Sequence, residues 1–114
     1  MSRSTPIALP VAAPPASGPE AIRVAEVLAA MANPARVRIL TALETVCVPV
    51  NSVVEATGLR QPTVSHHLRI LREGGLVIAE RRGLQIYYCL TDHRVTETLD
   101  AARGLAGPDE LRQR

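Results

Sequence analysis

The stretch QPTVSHHLRILREGG, residues 61–75, places two adjacent histidines among arginines ahead of a glycine pair. His66 and His67 could be metal ligands, acid–base groups, or contacts to another molecule. Adjacent side chains on a helix diverge by about 100°, whereas shared ligation uses residues three or four positions apart. No nucleophile with an orienting acid stands beside them, so acid–base catalysis has no partners. Recognition of another molecule is what remains. With Val64, Leu68 and Leu71 as the core stripe of a helix, Pro62, His66, Arg69 and Glu73 point away from it. Gln61, Thr63, Ser65, His66 and Arg69 then form a polar, donor-rich set suited to base edges in a major groove. His67 lies at the margin of the core and reads as a half-buried structural histidine.

Charge agrees with that reading. All 13 basic residues are arginine, and the net charge is only +2. Residues 60–82 nevertheless carry Arg60, Arg69, Arg72, Arg81 and Arg82 against Glu73 and Glu80, a net +3. The other eight arginines face nine acids, a net −1. Positive charge gathered in one segment is the footprint of a polyanion contact. Arg81 and Arg82 belong to a predicted turn, ERRGL, that would lie beside the helix and touch phosphate or the minor groove.

The elements that must position these residues follow from periodicity. Residues 1–18 hold four of the nine prolines and are expected to form an extended or disordered arm. A first helix begins near Pro19 and carries Val24, Val27, Leu28 and Met31. A second opens on Asn33 as N-cap with Pro34 in its first turn, and sets Val37, Leu40 and Leu43 on one face. TVCVPV, residues 45–50, is a short strand that Pro49 confines to an edge. SVVE, residues 52–55, has capping-box form, and Gly58 ends that helix over 51–57. Helix 62–73 follows after only GLRQ, a tight helix-turn-helix connection. LVIAE and LQIYYCL then make a hairpin about Arg82 and Gly83. A last helix from Asp92 puts Val95, Leu99 and Ala102 on one stripe before Gly107 and Pro108. The expected fold is mainly α with a β-hairpin (α+β), a winged helix-turn-helix over 19–107 with a tail at 108–114. Tyr87 and Tyr88 are the only aromatic residues, so one subunit's aliphatic core is small, and dimerisation is expected to add burial.

The segments LAAMANPARVRILTALE, QPTVSHHLRILREGGLV and RRGLQIYYCLTD resemble the ArsR/SmtB family of small winged-helix transcription regulators, across about two thirds of the chain. The resemblance implies a homodimer built on the first and last helices, bound to an inverted-repeat operator. It also implies an effector, often a metal ion, whose binding weakens the hold on DNA. The family's sensing motifs match poorly. Its CxC at the third helix falls on Pro49 and Asn51. Its D-x-H keeps Asp92 but has Arg94 in place of the histidine, and the later ligand positions fall on Leu105 and Pro108.

Two substitutes are present. His93, Glu97 and Asp100 share one face of the last helix, a ligand set suited to nickel or zinc, and with Asp92 could form part of an interfacial site. The blander alternative is a helix start with acids set favourably against the macrodipole. Cys47 and Cys89 lie on strands that a winged helix pairs, on the less buried side of the sheet. They read as small packing residues, with a redox pair as the alternative. No apolar run spans a membrane, and no signal-peptide layout opens the chain, which points to the cytoplasm. The sequence therefore predicts a DNA-binding regulator, a repressor by preference, and not an enzyme. The rival is a winged-helix interaction module that docks a co-regulator protein through the proline-rich arm.

Overall fold

The computed structural model describes residues 9–108, which form five helices and a three-stranded sheet. Helix α1 runs Gly18–Met31, α2 Pro34–Ala42, α3 Val50–Thr57, α4 Gln61–Glu73 and α5 Arg94–Ala106. The strands are β1 Val48–Pro49, β2 Val77–Arg82 and β3 Gln85–Leu90, in the antiparallel order β1-β3-β2. Residues 9–17 form neither helix nor strand and are exposed. Residues 1–8 of the expected arm and 109–114 of the tail lie outside the described residues. Among the described residues no helix is long and apolar enough to cross a membrane.

Local signals set most boundaries. Ser17 caps α1 by accepting from the Glu20 N–H at 3.1 Å. Asn33 caps α2 by accepting from the amides of Ala35 and Arg36. Gly58, at φ 72°, ends α3 in the left-handed region that a β-carbon disfavours. Two expectations fail locally. Helix α3 begins at Val50 behind Pro49 and has no side-chain cap, so Ser52 sits inside the helix and the capping box does not form. Helix α5 begins at Arg94, leaving Asp92 and His93 ahead of it. Helix α1 starts at Gly18, beside Pro19 as expected.

The core gathers Met31, Ile39, Leu40, Leu43, Val53, Val64, Leu68, Leu71, Leu76, Val77, Val95 and Leu99 from all five helices and β2. In α4 the three predicted core residues are all buried. In α2, Ile39 is fully buried while Val37 stays 36 % exposed. The core therefore takes the face of α2 offset from the predicted one. Ala102 is exposed as well, so the buried stripe of α5 ends at Leu99. Gly74, at the close of α4, lets α1 come near: a β-carbon there would stand 3.0 Å from that of Ala30. Helix α1 leaves Ile22, Val24, Val27 and Leu28 between 40 and 61 % exposed, an apolar face that this subunit does not cover.

Candidate nucleic-acid interface

Helix α4 is held from behind. Its Val64, Leu68 and Leu71 enter the core, and the turn before it is stitched by three side-chain bonds. Thr57 donates from Oγ1 to the Val53 carbonyl at 2.7 Å and accepts from the Leu59 N–H at 3.2 Å, while Arg38 donates to the Thr57 carbonyl. Arg36 braces α4 from α2. It donates to the Ala30 carbonyl at 2.6 Å and the Ala29 carbonyl at 3.3 Å, and its third nitrogen lies 3.2 Å from His67 Nδ1. His67 is half-buried, and desolvation first, then Arg36, then His66, lower its pKa. It is thus a neutral acceptor that locks α4 to α2, the structural role its position predicts.

The opposite face of α4 is open. Gln61, Ser65, His66 and Arg69 are exposed, and Thr63 is half-buried at the margin. Helix α4 begins behind an extended Arg60 with no side-chain cap on its first-turn amides. Arg60 and Arg72 are exposed beside this set. Neither was assigned a contact from the sequence, although both lie in the basic segment. Among the described residues, Arg60, Arg69 and Arg72 form no ion pair with a carboxylate.

The hairpin forms as predicted, from Val77↔Leu90 to Arg82↔Gln85, and turns on Gly83 at φ 64°. Its two arginines differ. Arg81 is exposed and donates only to the Gly83 carbonyl at 3.3 Å. Arg82 pairs with Glu80 at 2.7 Å and lies over the Tyr87 ring at 4.6 Å from its centroid. At the tip Leu84 is 99 % exposed.

The metal candidates are not brought together. His93 Nε2 lies 3.1 Å from Glu97 Oε2, but Asp92 is forked by Arg94 at 2.6–3.1 Å and Asp100 is paired with Arg103 at 2.7 Å. Hydrogen bonds from Arg94 hold the Asp92 carboxyl down to a pKa of about 2. Arg103 also reaches Glu44, fastening α5 to the end of α2. Among the described residues no group of three or more metal-binding side chains converges. Within one subunit Asp92, His93, Glu97 and Asp100 do not converge, because arginines engage two of the carboxylates, and the expected nickel or zinc site is one shared across a subunit interface.

The cysteines differ from expectation too. Cys47 and Cys89 do face each other, but as a disulfide and not as packed thiols. Cys89 is only 7 % exposed, and so is not on an open side of the sheet.

A helix-turn-helix with an exposed polar reading face, unpaired arginines and an adjoining wing is a DNA-binding arrangement, and residues 33–79 match the sequence profile of "Bacterial regulatory protein, arsR family". The chain belongs to the ArsR family. It is a DNA-binding transcriptional regulator and not an enzyme. This ArsR-family chain is 44 % identical over 88 residues to the HTH-type transcriptional regulator NmtR of Mycobacterium tuberculosis, covering 77 % of this chain and 73 % of that one. It is 37 % identical over 86 residues to the HTH-type transcriptional repressor SmtB of the same species, covering 75 % and 64 %. Among solved structures, a homodimeric winged helix-turn-helix DNA-binding domain from Mycobacterium bovis superimposes with TM-score 0.70 at 33 % identity, covering 80 % of this chain and 87 % of that one.

Proposed function

We propose that the protein is a cytoplasmic homodimeric repressor that inserts α4 of each subunit into successive major grooves of an inverted-repeat operator. Gln61, Thr63, Ser65 and His66 contact base edges, Arg69 holds phosphate, and Arg81 and Arg82 hold backbone or minor groove at the wing. The observation that carries this reading is the split of α4 into a fully buried apolar stripe and an exposed polar face with unpaired arginines. Dimerisation through α1 and α5 is supported by the bare apolar face of α1 and by the homodimeric relative. A gel-shift titration against the protein's own promoter tests the proposal. A salt-dependent shift on that DNA and not on shuffled DNA is expected, and no shift at low salt would favour the rival, a module docking a co-regulator protein.

For an effector, the nickel or zinc reading is supported by the His93–Glu97 pair, two ligands per subunit and four in a dimer. Isothermal titration of each metal, with His93→Ala as control, tests it. Tight binding lost in the variant is the expected result, and heat indifferent to His93 overturns it.

A further inference from the structure

We propose that Cys47 and Cys89 form a reversible dithiol–disulfide site, exchanging with low-molecular-weight disulfides and thiols, whose state sets how firmly the wing is held to the helix-turn-helix. The pair sits where the backbone already brings it together. Strand β1 pairs with β3 only at Val48↔Tyr88 and Pro49↔Tyr87. One step further along the same ladder, Cys47 stands opposite Cys89, with their Cα atoms 4.4 Å apart. Facing residues of antiparallel strands come this close without a covalent link, so bond making and breaking need no refolding.

The surroundings suit exchange. Cys47 is half-exposed and lines an open cleft of about 260 Å³ with Val46, His93 and Thr96, and Cys89 lines the same cleft but is far less exposed, at 7 %. A small thiolate can therefore reach Cys47 Sγ, expel the Cys89 thiolate, which takes up a proton, and leave a mixed disulfide at Cys47. A second thiolate frees Cys47. The net step is one protein disulfide plus two thiols giving two protein thiols plus one small disulfide, and oxidation runs the same steps backward. A protein that works on genomic DNA meets reducing thiols, among which disulfides are mostly transient or redox-sensing.

The position of the bond gives it leverage. The chain between Cys47 and Cys89 contains α3, α4 and β2, and so every residue assigned a DNA contact. Strand β1 leads directly into α3, and Pro49 has no N–H to lend to the two-pair ladder. The disulfide is thus the one covalent cross-link, besides the backbone itself, between the start of the helix-turn-helix and the wing. A tie that restricts the wing before binding reduces the ordering needed at the operator, so the oxidised form is the tighter binder. This second effect rests on the DNA-binding reading, whereas the exchange does not.

The test uses the full chain, reduced with dithiothreitol, freed of it, and titrated with glutathione disulfide. Maleimide trapping and intact mass should show two reactive thiols before and none after, a loss of two hydrogens, no retained glutathione and no covalent dimer, all reversed by glutathione. Operator DNA should bind the oxidised form at least five-fold more tightly, and Cys47→Ser should keep the reduced affinity in glutathione disulfide. Two thiols still trapped after titration, a stable glutathione adduct, a covalent dimer, or equal operator affinity in the two wild-type states would each overturn the proposal. If neither state binds promoter DNA, the regulator reading and the switch both fail, while the mass data still decide the exchange.

Discussion

The α4–wing surface and the entry to α5 are both crowded with charge, yet they are built differently. At the start of α4 and along it, the cations Arg60 and Arg69 are exposed and unpaired among the described residues, while nearby His66 is exposed too. Before and along α5, Arg94 and Arg103 are tied to Asp92, Asp100 and Glu44. Unpaired cations present a field that a polyanion can neutralise, whereas pre-paired ones are already satisfied. Pairing, not composition, separates a surface made to meet another molecule from one that holds the fold. The hairpin shows the same contrast in miniature, with Arg81 open and Arg82 taken up by Glu80 and Tyr87.

Perturbations should respect this division. Reducing the disulfide removes a cross-link spanning 42 positions, which should lower unfolding stability by about 4 kcal/mol on chain-entropy grounds, as read by urea denaturation with and without dithiothreitol. Truncating Leu68, 1 % exposed on the inner side of α4, should cost about 3 kcal/mol of stability. On the outer side His66→Ala should leave stability unchanged and flatten base preference by roughly 1–3 kcal/mol, and unaltered selectivity in a footprinting panel would remove His66 from the reading set. Arg69→Ala should reduce the salt slope of log K by about 0.9. Arg82→Ala should lower affinity for all sequences but by less, because Glu80 already engages that guanidinium, and an equal loss would erase the distinction between paired and unpaired cations. The smallest effect concerns His67. Its pKa is lowered from 6.5, chiefly by burial, so the unfolded chain takes up the proton first as pH falls. Stability is therefore full above about pH 6.5 and declines below it, and His67→Asn should flatten that decline in melting curves.

Most of the reading helix was legible because its signals are local and periodic. Val64, Leu68 and Leu71 recur at helical spacing, and Gly58 and Asn33 mark ends through chemistry that neighbours do not alter. Where several faces compete, the pattern misled. Val37 and Ile39 are both branched aliphatics on α2, and only tertiary packing decides that Ile39 goes inside. Ser52 and Glu55 have capping-box spacing, but the helix begins at Val50, directly after Pro49 of β1 and one residue earlier than the expected 51. The α5 ligand set does not converge within one subunit because spacing does not reveal which arginine will reach a carboxylate first. The cysteines were misread for a similar reason: strand alternation puts them near each other, but only the register of β1 on β3 sets them opposite.

Gly74 carries a last implication. Its missing side chain lets α1 approach the end of α4, and α1 carries the bare apolar flank on which the proposed dimer rests. The depth of that one contact therefore helps fix how far apart the two reading heads of a pair stand, and hence which half-site spacings on a duplex they can span. In the proposed dimer a methyl group at this glycine would retune operator geometry from the junction of α1 and α4.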